Sequence, residues 1–322
     1  MKNKNRLLRK SKEVDMAARQ QLLNFYSHPT EMSSTGKYAV WFNGLPNNIG
    51  ELTRIIQGLL LHEYVASDFY SFAIPKQRKG ETHLRSIESM LDTLFKIDNQ
   101  PISITRPVNK RLIGICHHFA LMLVAILRAK GIPARYRCGF GNYFNPPYFE
   151  EHVVCEYWNA PEARWIIVDP QFDEVWRTQL KIEHNIFNVP RDRFLMAGEA
   201  WIQCRSGSAD PSKFGIFKGN LRGLWLIAGE LIRDVAALNK MEMLPWDVWG
   251  AIPNPNEMLN DEQLAFFDRL AALTRSVDGS FTKLHKLYEN DDRLHVPNVV
   301  FNGVLNRTEA VQNNSNVLCS FS

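Results

Sequence analysis

The sequence predicts an α+β protein, on three observations. A run from Phe119 to Leu127 is apolar at every position and is closed by Gly131 and Pro133 like a helix end. Three short stretches follow it, Ala134–Phe140, His152–Trp158 and Arg164–Asp169, that read as strands. Amphipathic helical patterns flank this centre on both sides. The apolar run is too long for a typical buried strand, and a helix apolar all round is a buried one.

Composition sets the bounds. The chain has 322 residues, 45% hydrophobic and 22% charged, enough for one large domain or two smaller ones. The formal net charge of +4 is mild. Its one dense basic cluster, Lys2, Lys4, Arg6, Arg9, Lys10 and Lys12, reads as a solvated helix face, so neither nucleic acid nor a membrane is expected as partner. No apolar h-region follows these charges, and no apolar run approaches the roughly 20 residues that span a bilayer. Five cysteines without a CxxC suggest a reducing compartment rather than a disulfide framework, and a cytoplasmic location is expected.

Residues 1–105 read as a helical N-terminal portion. Leu7, Leu8, Val14, Ala18, Leu22 and Phe25 recur near helical spacing over 1–30. Tyr38–Phe42 suggests a short strand, ended by Asn43-Gly44-Leu45-Pro46. Asn48 caps a predicted helix from Ile49 to Tyr64. A second helix is predicted from Thr82 to Phe95, after a basic loop over Pro75–Gly80. Nothing in this portion forms a nucleophile constellation.

Chemistry concentrates in residues 106–175. Cys116 falls at the first turn of the buried helix, where unpaired N–H groups and the helix dipole favour a thiolate. In the next strand Ala134, Tyr136, Cys138 and Phe140 share one face, Arg135, Arg137 and Gly139 the other. If Asn159–Glu162 is the turn of the following hairpin, Trp158 faces Ala163 and, counting back, His152 faces Asp169. Directly opposed residues have Cβ atoms about 4.5–5.5 Å apart, within reach of an imidazole–carboxylate hydrogen bond. A one-residue slip would part them onto opposite faces. Cysteine, histidine and aspartate in that arrangement are the parts of nucleophilic catalysis: a thiol, a base for its proton, and an acid that orients the base. The Cys116 N–H would be one oxyanion donor; a second is not visible in the sequence.

Other groups carry weaker signals. Cys116-His117-His118 are helix neighbours about 100° apart and cannot easily converge on one metal, so no metal and no cofactor are expected. Glu150 and Glu151 read as a solvated loop pair, or as acids that tune the base or receive a cation; Arg135 and Arg137 would pair with them or hold a substrate carboxylate. Residues 176–322 read as a mainly helical portion that completes the same globule. Arg205 and Asp210 beside Trp201 could wall a pocket. A long helix is predicted over Leu221–Met241, Trp246 and Trp249 as core, and a last helix over Glu262–Thr274 capped by Asp261. The tail from Asn302 reads as mobile. There is no internal repeat, no P-loop, and no GxGxxG after a strand.

Gly114-Ile115-Cys116, Arg128-Ala-Lys-Gly-Ile-Pro-Ala-Arg135, His152-Val-Val-Cys-Glu-Tyr-Trp158 and Trp165-Ile-Ile-Val-Asp-Pro170 together resemble the transglutaminase-like superfamily over about residues 106–173. With Met243-Leu-Pro-Trp-Asp247, the pattern looks like a bacterial branch of it. The resemblance implies a papain-like core, a catalytic helix packed on an antiparallel sheet, with Cys116 as nucleophile, His152 as base and Asp169 as its orienter. It implies acyl transfer through an acyl-enzyme on a small-molecule or peptide amide or thioester. The alternatives are hydrolysis by the same triad, as peptidase or amidase, and an idle binding module. Crosslinking members carry an aromatic residue after the cysteine where this chain has His117, so the resemblance reaches the triad rather than crosslinking specificity. His117, Tyr143, Phe144, Trp201 and Arg205 are the substrate-binding candidates.

Overall fold

A computed structural model describes residues 16–311, so the basic cluster at 2–12 and Cys319 lie outside the described residues. Helix α1 covers 16–27. Its Tyr26 is fully buried, and the hydroxyl donates to the Leu238 carbonyl at 2.8 Å. The expected strand at Tyr38–Phe42 is instead a 3-10 helix, Gly36–Phe42. Its apolar residues do not alternate into a sheet: Val40 is 66% exposed, and Tyr38 stacks on Phe95 at 5.0 Å with its hydroxyl on Asp92.

Helix α2 (Ile49–Leu59) starts at the Asn48 cap, whose side chain accepts from the Glu51 N–H at 3.1 Å. It ends earlier than the periodicity suggests. Leu60–His62 forms a fully buried strand, β1, and a short buried strand cannot be told from a helix by spacing alone. A short helix α3 (Ala66–Tyr70) follows. Lys76–His83, read as loop and helix start, is a 3-10 helix, and Ser86 rather than Thr82 opens helix α4 (Ile87–Ile97). Strand β2 (Leu112–Gly114) runs parallel to β1 with His62 opposite Gly114, and delivers the chain into helix α5 (Cys116–Ala129). From Cys116 to Arg128 every residue of α5 is buried.

The main sheet begins with strands β3 (Ala134–Gly141), β4 (Phe149–Asn159) and β5 (Arg164–Val168). The β4–β5 hairpin turns through 160–163, one residue later than expected: Trp158 pairs with Trp165 and Asn159 with Arg164. Ala163 takes a left-handed φ of 50°, and Asn159 stays in the ladder with its amide on Glu162 at 2.8 Å. The register therefore shifts by two residues, which preserves faces, so His152 and Asp169 remain on the same side of the sheet.

Helix α6 (Glu174–Leu180), strand β6 (Phe194–Met196), helix α7 (Ala197–Arg205), and strands β7 (Phe214–Ile216) and β8 (Leu221–Arg222) follow. Strands β6, β7 and β8 join the main sheet, whose order is β6-β3-β4-β7-β8 with β5 on the other stretch of β4. The expected long helix splits accordingly: Leu221 is in β8, and helix α8 spans Leu224–Leu238. Beyond β9 (Asp247–Val248), Asn260 rather than Asp261 caps helix α9 (Asp261–Arg275), and α10 (Val277–Asn290) follows. The expected mobile tail is, as far as Val311, a hairpin of β10 (Val299–Asn302) and β11 (Arg307–Ala310) that completes a three-stranded sheet with β9. The C-terminal portion thus carries more sheet than its helical patterns suggest.

One apolar cluster packs α5 with α2 and α4 against Ala134, Tyr136 and Cys138 of β3 and Val153 and Cys155 of β4. Another gathers α7, α8, α9 and α10 with Tyr26 and with Phe214 of β7. Arg135 and Arg137 lie on the other β3 face, against Glu156 of β4, Asp234 of α8 and Asp278 of α10. They therefore pair with these acids, not with Glu150 and Glu151.

Candidate active site

The mouth of α5 is shaped by its first residues. The Ile115 N–H donates to His118 Nδ1 at 3.1 Å, so a side chain from the first turn caps the helix from within. A Cβ at position 114 would lie 2.9 Å from the His118 Cβ, which is why glycine fits there. His117 turns the other way, with Nδ1 3.0 Å from the Tyr136 hydroxyl and Nε2 3.4 Å from the Arg85 carbonyl. The two rings meet edge to face, with centroids 5.3 Å and planes 85° apart. Among the described residues, no three His, Cys, Asp or Glu side chains are grouped to hold a metal.

Cys116 is 8% exposed and opens on a cavity of about 600 Å³. The surroundings of the thiol work against the thiolate that the helix dipole favours. Burial pushes its pKa well up, the Glu151 carboxylate adds to this, and the backbone N–H of His117 opposes only in part.

His152 lines the same cavity. Its Nε2 lies 2.7 Å from Asp169 Oδ2, and both side chains are buried. A neutral ring donates from Nε2 and keeps the lone pair on Nδ1, the tautomer a general base requires. Asp169, one residue beyond β5, is itself fixed. Tyr143 Oη donates to Oδ2 at 2.8 Å, and the Gln171 N–H donates to Oδ1 at 3.2 Å. Phe144 packs edge-on against the His152 ring at 4.9 Å between centroids, with Phe172 at 6.0 Å.

The cavity is mostly apolar, with Tyr64, Trp176, Trp225 and Trp246 among its walls. Its polar lining includes Glu150, Glu151, Gln171, Lys218, Glu230 and Arg233, so Glu150 and Glu151 are cavity residues rather than a solvated loop pair. Glu230 is 1% exposed and takes Arg233 Nη1 at 2.7 Å on one oxygen. Its other oxygen, Glu151 Oε1 and Arg233 Nε are buried without a protein partner.

Of the substrate-binding candidates, Phe144 lines the cavity. Tyr143 stands behind it, on Asp169. His117 faces Tyr136, away from the cavity. Trp201 is buried in the α7–α9 packing with its indole N–H on Asp268 at 2.7 Å, and Arg205 holds the same carboxylate at the surface. Neither meets the expectation of a pocket wall, because α7 packs on α9 and not beside Cys116. Trp246, expected in the core, lines the cavity. Sequence reasoning missed His62, Glu230, Arg233 and Trp225. They come from strand and helix positions that become neighbours of Cys116 only on folding. Gln171 had one visible signal, its place two residues after Asp169.

A cysteine at a buried helix mouth, beside a histidine–carboxylate pair on an antiparallel sheet, is the architecture of the transglutaminase-like class. Residues 75–170 match the model of the transglutaminase-like superfamily. A protein-glutamine gamma-glutamyltransferase of Pseudomonas aeruginosa is 26% identical over 203 residues, covering 49% of this chain and 28% of that protein. The chain thus spans under a third of that relative's length. A solved structure from Cytophaga hutchinsonii, described as a candidate cysteine protease, aligns with a TM-score of 0.30 at 18% identity, over 53% of this chain and 44% of that one.

Proposed function

We propose that the chain transfers an acyl group through a thioester on Cys116. The observation that carries the reading is the 2.7 Å His152–Asp169 bond, which leaves His152 Nδ1 as a base on the cavity that Cys116 lines. The thiol proton passes to His152 as Sγ attacks an amide or thioester carbonyl carbon. The tetrahedral intermediate collapses, the leaving amine or thiol takes the proton from the imidazolium, and the acyl-enzyme remains. An amine or water then gives a proton to His152 and attacks the thioester, and the departing Sγ takes that proton back from the imidazolium as the C–S bond breaks. Because burial and Glu151 raise the Cys116 pKa, proton transfer to His152 accompanies attack. Glu150, Glu151 and Glu230 line this cavity, and an acidic lining supports an amine as acceptor over water.

Iodoacetamide labelling tests the nucleophile. Cys116 should alkylate at a rate that falls at least about tenfold in His152→Ala. Equal slow labelling of both proteins would favour the idle binding module instead. Release of p-nitrophenol from p-nitrophenyl acetate, with and without hexylamine, separates the acceptors. Amide product in competition with acetate marks a transferase; acetate alone marks a hydrolase with the same triad.

A further inference from the structure

The tetrahedral intermediate needs a second hydrogen-bond donor besides the Cys116 N–H. We propose that His62 supplies it through Nε2–H. The assignment rests on the acyl-transfer reading of Cys116 and adds a residue outside the triad.

Three features of the fold support it. First, β1 pairs parallel with β2 so that His62 lies opposite Gly114, two residues before Cys116. The ring lies 6.3 Å from that of Phe119, in the first turn of α5, and so stands beside the helix mouth. Second, the tautomer is fixed: the Tyr64 backbone N–H donates to His62 Nδ1 at 3.2 Å. With Nδ1 accepting, a neutral ring carries its proton on Nε2. Third, His62 is 5% exposed and what it exposes lines the cavity shared by Cys116 and His152. Among the described residues Nε2 has no protein partner. The ring is held edge-on to Trp176 at 5.3 Å and nearly parallel to Phe119 at 6.3 Å, so the donor is oriented before substrate arrives.

Burial, and then the neighbouring His152 and His118, hold the ring's pKa down to about 3. His62 therefore stays neutral across the working pH range. A neutral donor suits this place, because a fixed cation would oppose the imidazolium that His152 becomes during attack. In the step itself the carbonyl π pair moves to oxygen as the C–S bond forms. His62 keeps its proton and only hydrogen-bonds the oxyanion.

The test compares two reactions of the same thiol. Alkylation by iodoacetamide passes through no oxyanion; acylation by p-nitrophenyl acetate does. In His62→Phe, which fills the space without a donor, acylation should fall by about 10²–10³-fold while alkylation stays within about twofold. His62→Gln, whose amide can donate, should recover part of the acylation rate, and its fold is checked by circular dichroism. The inflections of the acylation pH profile should not move in either variant, because His62 does not titrate there. Full acylation by His62→Phe overturns the assignment, as does a parallel fall in both reactions, which would mark a role on the thiol or in packing. A fall in Gln171→Ala or Trp176→Phe with His62→Phe unaffected would pass the role to those cavity residues. If Cys116→Ala releases p-nitrophenol as fast as the wild type, the acyl-transfer reading fails and this assignment with it.

Discussion

At the scale of single residues, the site depends on how a few atoms are held. Asp169 accepts from His152, Tyr143 and the Gln171 N–H, so no single bond orients it alone. Tyr143→Phe removes one donor to a buried carboxylate, a loss of about 1.5 kcal/mol or more, or about tenfold in acylation rate. Ester acylation kinetics check it, and an unchanged rate would show that the hydroxyl is dispensable. Glu151 acts on the thiol through charge. Its carboxylate is the leading neighbour that raises the Cys116 pKa, after burial itself. In Glu151→Gln the midpoint of Cys116 alkylation against pH should therefore move to lower pH. Burial and Glu230 push the Glu151 carboxyl up as well, so the gain is greatest on the alkaline side, where Glu151 is ionised. A midpoint that stays put or rises would contradict this. That His152 would share a sheet face with Asp169 was legible in the sequence, because strand parity places them there. Tyr143's partner was not, because its loop has no periodicity to place a side chain.

At the scale of elements, the β3–β4 pair is apolar on the face toward α5 and carries a buried ionic network on the other. Glu156 receives Arg135 at 2.7 Å, Arg137 at 3.2 Å and Arg191 at 2.5 Å, while Arg137 also reaches Asp234 at 2.8 Å. Burial pulls the Glu156 pKa up, but the three guanidiniums outweigh it and hold the carboxyl well below the usual range. A depressed carboxylate contributes stability above the unfolded pKa near about 4, and that contribution is lost as pH falls below it. Glu156→Gln should cost about 3–5 kcal/mol at neutral pH, because it leaves two buried arginines short of a partner. Thermal unfolding across pH checks the sign: the gap in Tm between wild type and variant should narrow below about pH 4. The alternation of Arg135 and Arg137 was legible in the sequence. Their helical partners were not, since Asp234 lies 97 residues beyond Arg137 and Asp278 lies 143 beyond Arg135.

At the scale of the whole molecule, the portions read from the sequence are stitched together across the site. Arg85, just before α4, makes a bidentate bond to Asp247 of β9 at 2.6 and 2.9 Å and reaches Glu309 of β11 at 2.9 Å. Arg128 at the end of α5 bonds Glu242 at 2.8 Å, both fully buried. The cavity itself takes walls from His62 and Tyr64 before the core and from Trp225, Glu230 and Trp246 after it. Asp247→Asn, which breaks a buried pair, should lower stability by about 3–5 kcal/mol and slow ester acylation as well, because β9 borders the cavity through Val248. Denaturant unfolding and acylation kinetics on the one variant test both parts; a large loss of stability with acylation intact would mean the C-terminal sheet does not shape the site.

What the sequence by itself determined was local: the buried α5, its end at Gly131, the alternating strands, the Asn48 cap, and a Cys–His–Asp order with the right parity. Each depends on residues within a turn or a strand pair of one another, where periodicity and propensity suffice. Only the tertiary structure decided the two-residue register of β4–β5, the strands hidden in apolar runs, and the composition of the cavity. Continuous burial erases the difference between helix and strand spacing, and charges or aromatics brought together from distant elements leave no trace in any short window of the chain.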